Sequence, residues 1–208
     1  MTLERVRHAL QQPRPGLAAQ QRMLPQRPLG SELPLAGRRE RAAAVLILVY
    51  LVDDVPYLVL TRRTDTVQTH KGQISLPGGS REGNETPVET ALREANEEVS
   101  VSSANLEILG TLTPIYIGVS DYLITPVVAI APHRPDFRAD PVEVVEIIEA
   151  PLSLLLDPSV RVEEDWDVRG VSVRIPFFAV GPHKVWGATA MILSEFAAML
   201  EQSGATTA

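Results

Sequence analysis

Apolar positions along the chain fall into two rhythms. From Ala42 to Val52 they run almost unbroken, and after an Asp53-Asp54 turn a second run covers Tyr57 to Thr61. An apolar run of about 11 residues closed by a turn predicts a buried strand paired with its neighbour as a hairpin. Beyond a polar loop carrying Gly72 and the Pro77-Gly78-Gly79 turn, the rhythm becomes helical. Val88, Ala91, Leu92, Ala95 and Val99 share one face, which predicts a helix over Thr86 to Val99 with Pro87 in its first turn. Strands are then expected at Leu106 to Tyr116, Tyr122 to Ala131 and Val142 to Ile148, and a short helix at Pro151 to Leu156. Val160 to Asp167 and Val171 to Phe178 flank Arg169-Gly170 as a late hairpin, and an apolar helix from Trp186 to Glu201 closes the pattern. Strands on both sides of one strong helix, with a second helix at the end, predict an α/β/α sandwich around a mixed sheet.

Residues 1–41 break both rhythms. They hold Pro13, Pro15, Pro25, Pro28 and Pro34 and one short amphipathic stretch near Leu3 to Leu10, so they are expected to form a proline-rich arm. The folded domain is expected over residues 42–202, with 203–208 as a tail. At 208 residues the chain suits one compact domain and is short for two.

Composition narrows the chemistry. With no cysteine, a disulfide scaffold, an iron–sulfur cluster and thiol catalysis are excluded. Any metal site must use carboxylate, imidazole or carbonyl ligands, a set that favours Mg²⁺ or Mn²⁺ over structural zinc. The formal charge of −7 argues against a general nucleic-acid binder. It leaves room for a phosphorylated small molecule if divalent cations sit between carboxylates and phosphates. No apolar stretch reaches the roughly 20 residues of a membrane span and the N-terminal residues lack an apolar leader, so the expectation is a cytoplasmic protein with no membrane partner.

The acids of the helix are unusually placed. Glu94 and Glu98 are i, i+4 neighbours and Glu97 lies between them, so three carboxylates crowd one patch, where like charges destabilise a helix. A solvated acidic face is the ordinary explanation for such a pattern. Here Glu85 and Arg93 stand where they could orient the acids, and hard oxygens clustered over one turn are what Mg²⁺ prefers.

At these positions the chain resembles the Nudix hydrolase family. The family pattern is a glycine, five residues, Glu, seven residues, Arg-Glu, an apolar residue, any residue, Glu-Glu, any residue, glycine and an apolar residue. Gly79, Glu85, Arg93, Glu94, Glu97 and Glu98 match it, Ala95 and Val101 fill the apolar positions, and Ser100 replaces the second glycine. The resemblance implies a Nudix-type α/β/α sandwich and attack of water on a nucleoside diphosphate linked to another group. It implies Glu94, Glu97 and Glu98 as metal ligands that serve catalysis, Gly79 as a ligating carbonyl, Mg²⁺ or Mn²⁺ as cofactor, and Glu85 with Arg93 behind the ligands.

Upstream, Val59-Leu60-Thr61-Arg62-Arg63-Thr64, Gly72 and Leu76-Pro77-Gly78-Gly79 resemble the motif of the coenzyme A pyrophosphatase branch. Leu60, Thr61, Arg63, Gly72, Pro77, Gly78 and Gly79 match, whereas Val59, Thr64, Gln68 and Leu76 depart from it. Thr125-Pro126, Glu143-Val144, Pro151-Leu152 and Trp186 to Ala190 also resemble that branch. The branch implies a small-molecule substrate of the coenzyme A type, cleaved to 3′,5′-ADP and 4′-phosphopantetheine. Gln68 stands where the branch has a positive charge, which keeps ADP-ribose or a dinucleotide open as substrate. A non-catalytic ligand-sensing module on the same fold is the alternative of another class, and a homodimer is left open.

Arg62, Arg63, His70 and Lys71 precede the Gly-rich turn and are candidate partners for substrate phosphates. For the base that activates water the candidates are Glu143, Glu146 and Glu149, headed by Glu143. Strand alternation puts Glu143 and Glu149 on one face and Glu146 on the other. Trp186 and the closing helix read as core rather than as a platform for pantetheine.

Overall fold

A computed structural model describes residues 1–26, 40–64, 72–168 and 170–205, apart from the side chain of residue 205. The expected buried strand is β1 (Arg41–Val52), and β2 (Val55–Arg63) returns antiparallel to it after the Asp53-Asp54 turn. Both turn residues have positive φ, 48° and 64°, and aspartate tolerates that conformation better than most residues. Two short strands follow, β3 (Ile74–Ser75) and β4 (Gly78–Ser80), and then α3 (Pro87–Val99). The two helices that precede β1 are α1 (Leu3–Gln11) and α2 (Leu17–Gln20).

The expected strand Leu106 to Tyr116 is two strands. β5 (Glu107–Thr111) and β6 (Ile115–Ile117) are separated at Thr113-Pro114, where proline has no N–H to give a ladder. Next come β7 (Tyr122–Ala131) and β8 (Val144–Pro151), the latter running three residues past its expected end into a short 3₁₀ turn at Leu152–Leu156. The late hairpin is β9 (Arg161–Val168) and β10 (Val171–Val180), extended by β11 (His183–Trp186). The last helix, α4 (Gly187–Ala205), reaches into the expected tail and buries Ser203.

Among the described residues, eight strands form one mixed sheet and β9–β11 a separate antiparallel one. In the main sheet β1 is central. It runs parallel to β7 along ten residues on one side and antiparallel to β2 and β4 on the other. A central strand is covered on both faces, which is why its sequence is continuously apolar. Its residues still sort by parity. Ala44, Leu46, Leu48 and Tyr50 pack with Ala91, Ala95 and Val99 of α3, whereas Ile47 and Val49 enter the larger core that includes Phe196, Leu193 and Leu200 of α4. The expected α/β/α sandwich is therefore built with α3 on one face and α4 on the other.

Part of the expected N-terminal arm belongs to this body. Val6, Ala9, Ala19 and Met23 are all buried, α1 and α2 pack on α4, and Arg5 donates through Nε and Nη2 to the Leu200 carbonyl at 3.1 and 2.7 Å. Proline content suggested an extended arm, but the apolar face of Leu3–Gln11 finds a long apolar helix to cover. No helix among the described residues is long and apolar enough to cross a membrane.

Candidate active site

The site is assembled where α3 meets β4. Thr86 caps α3, accepting from the Glu89 N–H while the Glu89 carboxylate accepts from the Thr86 N–H, so both ends of this capping box are closed. β4 pairs with β1 so that Gly79 lies opposite Ala44, whose face is covered by α3. A Cβ on Gly79 would stand 2.6 Å from the Glu94 carboxylate. Only a glycine lets that carboxylate lie against the strand backbone. Gly78, at φ 152°, has its own reason to lack a side chain, since a Cβ would run into the backbone of β1. Its N–H donates to Glu98 Oε2 at 3.1 Å.

Arg93 organises one half of the acids. Its Nε and Nη2 hold the two oxygens of Glu85 at 2.7 and 3.1 Å, and Nη2 also donates to the Ser80 carbonyl at 2.9 Å. Its Nη1 donates to Glu94 at 3.0 Å and Glu97 at 2.9 Å. Glu85 further accepts from the Glu82 N–H and the Thr90 hydroxyl. Hydrogen bonds from Arg93, then from the backbone, hold the Glu85 carboxyl down at about 2. Arg93 is thus bound from below and aims its remaining N–H groups upward at two acids.

Arg63 serves the other half. The Glu98 side chain is 1% exposed, and Arg63 Nη1 donates to its Oε1 at 2.9 Å while Nη2 reaches Glu143 Oε2 at 3.5 Å. Burial pushes the Glu98 carboxyl up to about 7 against the opposing pull of Arg63 and the Gly78 N–H, and the neighbouring Glu94 and Glu143 charges push the same way. Burial also raises Glu94, which Arg93 only partly offsets. Glu97 is the outward member, 55% exposed. Five carboxylates (Glu85, Glu94, Glu97, Glu98, Glu143) meet two guanidiniums (Arg63, Arg93), leaving a surplus of negative charge inside a partly desolvated patch.

Glu143 arrives from a distant segment. The chain after β7 folds over the end of α3, where the N–H groups of Arg138 and Asp140 donate to the carbonyls of Val99 and Glu98 at 3.1 and 2.9 Å. Between Arg62 and Arg63 the β2–β8 register shifts, so Arg63 lies opposite Val144 and Val145 is extruded, 50% exposed. Such a bulge re-aims side chains at a sheet edge. It lies directly beside Arg63 and Glu143.

Strand alternation separates one expected substrate partner from the acids of α3. Arg62 points to the face opposite Arg63 and pairs with Glu146 at 2.9 Å, and His183 approaches the other oxygen of that carboxylate. Arg62 and Glu146 therefore lie away from the acids of α3. Glu149 sits on the α3 side, but it accepts from Tyr50 and forks onto Arg134, which commits it there. The other two candidates, His70 and Lys71, lie outside the described residues, as does Gln68. Ser100, in place of the family glycine, takes the left-handed conformation at φ 59° and caps α3 with its N–H. The Gly78 N–H and the Ser80 carbonyl are partners that the residue types alone did not announce, because backbone groups leave no mark in a sequence.

Among the described residues, no three acids or imidazoles converge as placed into a ready metal cage. The acids are instead turned onto guanidiniums and a backbone N–H. The donors are hard oxygens on one helical turn beside a glycine carbonyl, and their charge surplus calls for further cations, so the residues fit Mg²⁺ or Mn²⁺.

A mixed sheet between helices, with an acid-rich helix entered through a Gly-Gly strand, is the architecture that comparison with known proteins identifies. The NUDIX domain model matches residues 40–157. The chain is 36% identical over 162 residues to a protein of Photorhabdus laumondii subsp. laumondii called "Uncharacterized Nudix hydrolase NudL", spanning 77% of this chain and 86% of that one. A protein of the same name from Yersinia pestis (strain Pestoides F) is 35% identical over 158 residues, 76% of this chain and 78% of its own. Among solved structures, a Nudix hydrolase from M. smegmatis, RenU, is similar with a TM-score of 0.54 at 18% identity, over 81% of this chain and 88% of that one. A MutT protein from Methanosarcina mazei Go1 gives 0.50 at 15% identity, over 83% and 98%. These likenesses carry the fold. The chain belongs to the Nudix hydrolase family.

Proposed function

We propose that this Nudix hydrolase cleaves the diphosphate of coenzyme A or its derivatives, giving 3′,5′-ADP and 4′-phosphopantetheine or its acyl form. The observation that carries the reading is Arg63. It belongs to the upstream motif that resembles the coenzyme A branch, and its guanidinium touches Glu98 of the family helix. The two motifs thus meet in one site.

Glu94, Glu97 and Glu98 with the Gly79 carbonyl would hold Mg²⁺ or Mn²⁺. When bound, such cations neutralise the diphosphate, acidify water and stabilise charge on the leaving phosphate. The chain's own residues do the rest. Glu85 locks Arg93, and Arg93 keeps Glu94 and Glu97 at fixed angles. Glu143, on the rim and within reach of Arg63, takes the proton of the attacking water at Oε2. Arg63 provides a guanidinium fork for phosphate oxygens. Gln68 favours a second reading, hydrolysis of ADP-ribose or a dinucleotide, because it removes a positive charge from the motif. The complete set of Glu94, Glu97 and Glu98 speaks against a sensing module, which has no need of it.

The test is to incubate the protein with Mg²⁺ or Mn²⁺ and coenzyme A, ADP-ribose or a dinucleotide, and to resolve the products. Release of 3′,5′-ADP at the highest kcat/KM of the three supports the proposal. Its absence under every metal condition refutes it.

A further inference from the structure

We infer that Arg63 and a divalent cation compete for the Glu98 carboxylate, and that the guanidinium released from Glu98 becomes the anchor for the substrate's phosphates. The inference rests on the proposed metal role of Glu98. Its ground is an asymmetry between the two arginines of the site. Arg93 has three donor contacts that do not involve the ligand acids, two to Glu85 and one to the Ser80 carbonyl, so it stays in place whatever happens to Glu94 and Glu97. Among the described residues Arg63 has none of that kind. Its side-chain bonds are the 2.9 Å contact to Glu98 and the 3.5 Å contact to Glu143.

Bringing a doubly charged ion to Glu98 sets it against the guanidinium at a separation of a few ångströms, in a pocket where charges are poorly screened. Glu98 cannot retreat, because its carboxylate is buried and its other oxygen is bound to the Gly78 N–H. Arg63 can. It stands at the last position of β2 on a side chain that is 22% exposed, and Glu143, its remaining partner, is 44% exposed at the rim. The guanidinium therefore moves outward, toward the solvent-facing rim where Glu143 stands and where a diphosphate would meet it. Metal then precedes substrate, and each ligand's affinity depends on the same side chain.

The experiment is Mn²⁺ binding to EDTA-stripped full-length protein in the absence of substrate, by calorimetry, for wild type, Arg63→Met and Arg62→Met. Arg62→Met removes the same charge from the opposite face. About tenfold tighter binding in Arg63→Met alone is expected, with a raised KM for the diphosphate substrate and a smaller change in kcat. Equal or weaker Mn²⁺ binding in Arg63→Met overturns the inference and makes Arg63 a fixed support of Glu98. Should Arg63→Met fail to fold, the wild type decides. The ¹⁵Nη signals of Arg63, held by the ion pair, should lose their protection as Mg²⁺ is added, and signals unchanged at saturation overturn the inference. Tighter Mn²⁺ binding in a protein that leaves coenzyme A intact refutes only the substrate. A wild type that binds no Mn²⁺ refutes the metal reading before any variant is compared.

Discussion

Two glutamates are buried on opposite faces of the main sheet, and they are buried differently. Glu98 on α3 is 1% exposed and Glu195 on α4 is 0% exposed. Glu195 has its carboxylate filled by neutral donors. The Thr113 hydroxyl and N–H reach Oε1 at 2.7 and 3.3 Å, and Gln20 Nε2 reaches Oε2 at 2.8 Å. That arrangement ties α2, the β5–β6 connection and α4 together and leads nowhere else. Glu98 is held by the Arg63 guanidinium and one backbone N–H, stands among four other acids, and has its carboxyl raised to about 7. The lesson is that burial by itself says little about role. A carboxylate satisfied by fixed neutral donors serves the fold, whereas one surrounded by uncompensated like charge is the one suited to take a cation under the proposed function.

The comparison is broken most severely through activity. On the proposed function, Glu97→Gln or Glu98→Gln should lower kcat by at least about 100-fold, because each would remove a charge that holds the metal. Steady-state kinetics checks this, and near-normal turnover with either variant would mean the ligands are misassigned. Both should still unfold cooperatively, since an amide has nearly the same shape as the carboxylate it replaces.

On the other face the effect should appear in stability. Glu195→Ala leaves the Thr113 N–H and one of the two Gln20 amide N–H groups buried without an acceptor, the other staying on the Thr113 carbonyl, and should cost about 2–3 kcal/mol. Chemical denaturation measures it, and kcat should change little. A variant as stable as wild type but inactive would reverse the assignment of the two faces.

Smaller effects sharpen the same contrast. Ser100→Gly should stabilise the protein by about 1 kcal/mol, because glycine adopts the left-handed conformation that serine holds here at a cost. Thermal melting should show the gain. The smallest effect concerns pH. The Glu85 carboxyl lies at about 2, below the ordinary 4.5, so its contribution to stability is present above about pH 4.5 and is lost as pH falls toward 2. Glu85→Gln should therefore be less stable than wild type at neutral pH, with the gap closing across that window. A gap that stays constant from pH 5 to pH 2 would show that the carboxylate charge is not what Arg93 uses.

Much of this contrast was legible before any coordinates. The apolar run of β1, the helical rhythm of Val88 to Val99 and the crowding of Glu94, Glu97 and Glu98 are local patterns, and such patterns survive in sequence. What misled was of another kind. Proline content made residues 1–41 look detached, although the described part packs Val6, Ala9, Ala19 and Met23 into the core. Arg62 and Arg63 looked interchangeable, yet one residue of strand separates a pair with Glu146 from a pair with Glu98. Alternation predicts Glu149 and Glu143 on one face, but Glu143 precedes β8 and the bulge at Val145 interrupts that alternation. Only the loop that folds over the end of α3 brings Glu143, and not Glu149, to Arg63.

The amino-acid order alone determined the elements and the clustering of Glu94, Glu97 and Glu98 as hard oxygen donors, because each depends on neighbours within a turn or two. The tertiary structure decided the rest: which arginine reaches the acids, which glutamate stands beside it, and that Glu98 is buried while Glu97 is not. Those outcomes depend on contacts between residues 35 to 80 positions apart, as in Arg63 with Glu98 and with Glu143. No local pattern encodes them, since they arise only when β2, α3 and the approach to β8 are packed against one another.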